Sequence, residues 1–318
     1  VHQETEFLNK LKTQTKSQLT LIKVPDTLIA LRDLARFSRR RSASLVIGVA
    51  GSNGKTTSKE FCASVIGAHR KVHYSKGSFN NHWGVPFTIL AEPEKTEIMI
   101  LEMGMNHVGE LAVLTKIAEP DIVVVTYIGI EHIEHFGTVD KISEAEEEIY
   151  KNSPAKAQRI FNLDNPWTLK MFERALNDYP QARRLWTFSA HKESADVHLK
   201  IVDLTRTALR IRGQIGGIAN EIVVPVFGSH NLANLMVAST VGLAAGLSGQ
   251  QIWSSLPTCK NIWGRNQLIQ TKQGAQILFD GYNANPDSMK ALIENMNLLK
   301  VSGKRIGVFG QMRELGVH

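Results

Sequence analysis

Residues 45–57 read LVIGVAGSNGKTT, and their order decides the fold. LVIGVA (45–50) has the length and apolar continuity of a buried strand. A glycine loop follows, and a helix is expected from about Thr56. A strand running through a glycine turn into a helix is the unit from which mostly parallel, doubly wound α/β sheets are built. Outward from this stretch the pattern recurs. EIMILE (97–102), IVVVTY (122–127) and RIFNL (159–163) read as further strands, with helix-like segments between them. Upstream, DTLIALRDLARFSRR (26–40) places Leu28, Leu31, Leu34, Ala35 and Phe37 mostly three to four residues apart behind an Asp26 cap, which predicts an amphipathic helix.

Downstream the texture changes. Between 196 and 227, VHLKIVDL, ALRIRG and EIVVPVFG are separated by turn residues and read as a small antiparallel patch. NLANLMVASTVGLAAGL (231–247) then reads as a helix. Near 264 a new unit begins, with ILFDGY (277–282) as a strand, NPDSMKALIENMNLLK (285–300) as a helix and KRIGVFG (304–310) as another strand. One β-α-β unit cannot bury both faces of a parallel sheet, and the chain starts at Val1. Both ends are therefore read as trimmed or cleaved.

Composition is that of a globular protein: 43% hydrophobic and 21% charged over 318 residues. The apolar runs are strand-sized, far below the roughly 18 residues of a membrane span. VHQETEF has neither the basic start nor the apolar stretch of a signal peptide. Two cysteines, Cys62 and Cys259, exclude a disulfide framework and a cysteine zinc site. A cytoplasmic location and a monomer are expected. The net charge of +7 is concentrated at one end: residues 1–41 hold nine Lys/Arg against four Asp/Glu, ending in RFSRRR (36–41). No series of aromatic platforms interleaves it, so a solvated helix face is favoured over a nucleic-acid site.

The loop fails the strict phosphate-loop pattern, because G-x-x-x-x-G-K-[ST] requires glycine where Val49 stands. The physics survives the shift. Gly51 and Gly54 permit a tight backbone that turns N–H groups inward at a helix N-terminus. Lys55 supplies a charge for phosphates, Thr56 a hydroxyl for Mg2+, and Ser52, Asn53 and Thr57 complete the loop. A nucleoside triphosphate is the expected ligand. Glu102 ends its strand at the carboxyl edge, where ligands of open α/β sheets collect; it reads as a metal carboxylate or as a capping glutamate.

GSNGKTT (51–57), GSFNNHWGVPFTIL (77–90), LEMGMNHVGEL (101–111), GIEHIEHFG (129–137), GSHNLANLMVA (228–238) and DGYNANPDSM (280–289) together resemble the Mur ligases, ATP-dependent amide-forming enzymes of peptidoglycan synthesis. The resemblance extends over roughly 20–318 and is strongest to the member that adds D-alanyl-D-alanine to UDP-MurNAc-tripeptide. It implies an ATP-binding central domain (26–263), the beginning of a Rossmann-like C-terminal domain (264–318) and a remnant of a UDP-substrate domain (1–25). It also implies carboxylate activation by the γ-phosphoryl of ATP, then displacement of phosphate by an amine. By the same resemblance Glu102 and His132 are metal ligands with Thr56. Asn80 and Asn81 face the peptide substrate. Asn231 lies near adenine, Arg265 near the phosphates, and Asp280 near the ribose with Asn283 beside it.

One position departs from the family. In KISEAEEEIY (141–150), Glu146 stands where these ligases carry a lysine modified by CO2. Ile142, Glu146 and Ile149 share a helical face, so Glu146 is expected to point inward. Three readings are open: a charged substitute meeting a second magnesium through water, a weakened metal site, or a solvated acidic helix. The alternative to a ligase is a non-catalytic nucleotide-binding homologue or an inactive fragment.

Overall fold

A computed structural model of the chain describes Glu6, Lys10, residues 22–299, Val301, residues 303–312, Glu314 and Leu315. The expected remnant at 1–25 lies almost entirely outside the described residues. Among the described residues, nine strands form one sheet: β1 (Leu45–Ala50), β2 (Val72–Tyr74), β3 (Ile98–Glu102), β4 (Ile122–Val125), β5 (Gln158–Asn162), β6 (Leu185–Ser189), β7 (Val197–Leu204), β8 (Leu209–Ile215) and β9 (Ile218–Val224). Their order is β2-β3-β1-β4-β5-β6-β7-β8-β9. Every pairing from β2 to β7 is parallel, whereas β7, β8 and β9 pair antiparallel.

The central position of β1 explains its sequence. Ile47 and Val49 enter one apolar core with Phe61 and Val65 of the helix Lys55–Gly67 and Leu235 and Val241 of the helix Asn231–Ala244. Val46 and Ala50 enter the other, with Ala35, Val85, Leu111 and Met171 from helices on the opposite face. A strand covered on both faces reads as one continuous apolar run. The helix Thr27–Arg41 closes that second face, and Asp26 caps it by accepting from Leu28 N (2.7 Å) and Ile29 N (2.9 Å). Its basic end is docked: Arg36 and Arg40 pair with Glu119 and Arg39 with Asp121. The RFSRRR run thus largely neutralises carboxylates of its own chain.

The last segment differs from expectation. β11 (Gln276–Phe279) pairs antiparallel with β10 (Gln267–Gln270) and with no other strand among the described residues. No strand forms over the described residues 304–310, and Ile306 and Val308 are exposed there. A strand persists only where a neighbouring edge pairs its N–H and C=O groups, and among the described residues none does. The predicted helix is present as Pro286–Leu298, capped by Asn285. Among the described residues no helix is long and apolar enough to cross a membrane.

Candidate active site

The loop after β1 lies where β1 separates from its neighbours β3 and β4, the crevice in which open sheets bind ligands. Gly51 and Gly54 have φ of +126° and +81°. Their missing side chains matter sterically too: a Cβ on Gly51 would collide with the Thr126 hydroxyl, and one on Gly54 would lie 2.5 Å from Asn234 Oδ1. No side chain caps the N-terminus of Lys55–Gly67, so its first N–H groups are open to an anion. Lys55 Nζ folds back to donate to Gly51 O (2.6 Å), Ser52 O (3.3 Å) and Glu131 Oε2 (3.0 Å). Burial alone would lower its pKa, but the charges of Glu131, Glu146 and Glu102 more than offset this and raise it.

Glu102, at the end of β3, faces the same loop. Its Oε1 accepts from Thr56 Oγ1 (3.1 Å) and Asn80 Nδ2 (2.8 Å). Its Oε2 is buried with no hydrogen-bond partner, 3.8 Å from Nζ of the fully buried Lys59. Lys59 donates to Ser75 O and Gly77 O (both 2.6 Å) and so ties down the segment leading to Ser78, whose hydroxyl lies 3.0 Å from Thr56 Oγ1. Gly104 N donates to Asn80 O (2.9 Å). Asn81 Oδ1 accepts from Trp83 N (3.1 Å) and Gly84 N (3.0 Å), which starts the helix Gly84–Leu90. The set of Thr56, Ser78 and Glu102, with one carboxylate oxygen unpartnered, offers hard oxygen donors of the kind Mg2+ takes.

His132 departs from that set. It begins the short helix Ile133–Phe136 at φ +53°, with Nδ1 against Glu314 and Nε2 3.7 Å from Glu131 Oε1. Among the described residues no cluster of three or more His, Cys, Asp or Glu side chains is placed to hold a metal ion. Glu146 points inward with Ile142 and Ile149, as its helical face predicts. It does not line the cleft. Burial pushes its pKa up to about 8, against the opposing pull of Lys55 and the Gly51 N–H, and Glu131 adds to the rise. Its Oε2 has no hydrogen-bond partner.

The cleft has a volume of about 520 Å³. Ser52, Asn53, Gly54, Lys55, Thr56 and Thr57 line it with Asn80, Asn81, Glu102 and His132, and Arg265 and Asn283 form part of its opposite wall. Arg265 stacks over Tyr282, with Cζ 4.3 Å from the ring centroid. Asn285 Nδ2 donates to Asn53 Oδ1 (2.8 Å), and Asp287 Oδ2 accepts from Ile130 N (3.1 Å), so the last unit touches the loop directly. Asn231 and Asp280 do not line the cleft. Asn231 donates to Phe227 O (2.7 Å) and accepts from Asn234 (3.0 Å), and Asp280 accepts from Asn266 N (3.0 Å) and Nδ2 (3.1 Å). Sequence reasoning missed Glu131, although it follows β4 much as Glu102 ends β3, and the same carboxyl-edge rule points to it. It also missed Lys59, one helical turn beyond Lys55.

The profile of the Mur ligase middle domain matches residues 49–242, and that of the Mur ligase glutamate ligase domain matches 264–318. The UDP-N-acetylmuramoyl-tripeptide--D-alanyl-D-alanine ligase of Bacillus subtilis is 37% identical over 296 residues, covering 93% of this chain and 62% of the relative. Among solved structures, a UDP-N-acetylmuramoylalanyl-D-glutamyl-2,6-diaminopimelate--D-alanyl-D-alanyl ligase from Acinetobacter baumannii superposes with a TM-score of 0.79 at 27% identity, covering 90% of this chain and 62% of that one. The MurF ligase from Thermotoga maritima in complex with ADP gives 0.79 at 26% identity, covering 95% and 68%. The chain spans about three fifths of the length of the curated relative.

Proposed function

The chain belongs to the Mur ligase family, and on that premise we propose that it serves an ATP-dependent ligase joining D-alanyl-D-alanine to a UDP-MurNAc-tripeptide. The observation that carries this reading is the convergence of Lys55, Thr56, Glu102 and Asn80 on one cleft at the carboxyl ends of β1 and β3. The loop N–H groups and Lys55 hold the β- and γ-phosphates of ATP. Arg265 approaches from the opposite wall. Thr56 and Glu102 would hold a magnesium ion, which when bound neutralises charge on the transferring phosphoryl group. Asn80 and Asn81 position the peptide carboxylate, which attacks the γ-phosphorus as ADP leaves. The amine of D-alanyl-D-alanine then attacks the acyl phosphate, and phosphate departs with one oxygen of the original carboxylate.

Residues 26–263 form the ATP-binding domain in this reading, and 264–318 the beginning of the domain that closes over it. Asn231 and Asp280, each engaged within its own unit here, reach the nucleoside only by giving up those partners. Glu146, buried behind the loop and outside the cleft, does not take the place of the charged modified lysine as a metal ligand, and turnover proceeds with no need for CO2. The reading is tested by phosphate release from ATP. Release that requires both UDP-MurNAc-tripeptide and D-alanyl-D-alanine is expected. ATP binding without any substrate-dependent release would instead favour a non-catalytic nucleotide-binding homologue.

A further inference from the structure

Arg32 is the cation of this cleft that nothing yet explains. It sits on the helix Thr27–Arg41 and lines the cleft, with its Nε buried and without a hydrogen-bond partner. The other arginines of that helix are occupied: Arg36 and Arg40 with Glu119, Arg39 with Asp121, and Arg41 over the Phe37 ring. So are the other strong cations of the cleft, Lys55 with Glu131 and Arg265 against Tyr282. Arg32 forms no ion pair among the described residues. A guanidinium stays charged under all ordinary conditions and presents a planar fork of donors that matches a carboxylate. Holding one partly buried and unpaired is unfavourable unless a ligand supplies the anion.

Its position indicates which ligand. The helix packs on Gly84–Leu90 and Glu110–Ala118, whose leading loops bring Asn81, His82, Val108 and Gly109 into the cleft. This is the wall of Asn80 and Asn81, where the ligase reading places the peptide. We propose that Arg32 is a specificity-determining residue that binds a carboxylate of the peptide acceptor other than the one that reacts. An acceptor with an internal acidic residue carries such a group. The inference rests on the ligase reading.

The test is calorimetric binding of UDP-MurNAc-tripeptide to the wild-type chain, R32K and R32A, with ATP affinity and thermal melting as controls for folding. R32A is expected to lose roughly ten- to a hundredfold in acceptor affinity with ATP affinity unchanged, and R32K to lose less. An acceptor whose non-reacting carboxylates are amidated should bind the wild type weakly and be indifferent to R32A. Equal binding of the unmodified acceptor by wild type and R32A would overturn the inference while leaving the ligase reading standing. Loss of affinity for UDP alone in R32A would overturn it in favour of a diphosphate contact. If the wild type bound no acceptor at all, the ligase reading would fall and the inference with it.

Discussion

Lys55 keeps its charge inside the loop because three carboxylates surround it, and Glu131 touches it directly. A phosphate must compete with that carboxylate for the same ammonium. On the proposed reading Lys55→Met removes the charge that balances the γ-phosphoryl group, and substrate-dependent phosphate release should fall at least roughly a hundredfold; release within a few-fold of wild type would show that another group carries the role. Glu146 lends itself to a pH experiment. Its folded pKa of about 8 lies above that of an exposed glutamate, so the fold prefers the neutral acid. Its contribution to stability is complete below about 4.5 and is lost as pH climbs towards about 8. Glu146→Gln should therefore become more stable than wild type over that window, by a few kcal/mol at most, in denaturant titrations. Parallel stability curves would contradict the burial argument. Added bicarbonate should leave turnover unchanged, whereas clear activation would mean that some lysine still takes up CO2.

At the scale of elements, legibility followed the source of each element's stability. β1, β3 and β4 are buried on both faces and spell themselves out as LVIGVA, IMILE and IVVV. β2 is only Val72–Tyr74, at the sheet edge beside β3. Its sequence alone, in KVHYSK, gives no period to read. The helix Thr27–Arg41 was legible from its cap and spacing, but the partners of its arginines, Glu119 and Asp121, lie some 80 residues away in sequence and needed the fold. The motif residues of the loop, Asn80 and Glu102 were legible and do meet. The seating of Asn231 and Asp280 was not, because each is held by side-chain and backbone partners of its own unit, Phe227 and Asn234 for the one and Asn266 for the other, which spacing does not reveal. The loop itself depends on its backbone. Gly54→Ala forces a side chain into a left-handed residue against Asn234, and should cost about 1–3 kcal/mol together with most of the nucleotide affinity. Wild-type ATP binding by that variant, measured by calorimetry, would show that the loop relaxes cheaply.

Across the whole molecule, a polar chain joins the sheet domain to the last unit. The fully buried Asn295 accepts from Ser229 N (3.2 Å), lies 3.0 Å from His230 Nδ1 and donates to Asn266 Oδ1 (3.3 Å), while Asn266 in turn holds Asp280. Asn295→Ala strands several of these groups. A loss of about 1–3 kcal/mol is expected in equilibrium unfolding, and no loss would mean that the junction carries little of the stability. The contacts of Asn285 with Asn53 and of Asp287 with Ile130 place that junction beside the glycine loop, where closure around ATP would be felt in the proposed reading. The most direct test of the account is the fate of the acceptor's own oxygen. With the peptide carboxylate labelled with oxygen-18, turnover with ATP and D-alanyl-D-alanine should release phosphate carrying one labelled oxygen per molecule. Substrate-dependent release of unlabelled phosphate would contradict carboxylate activation in this cleft.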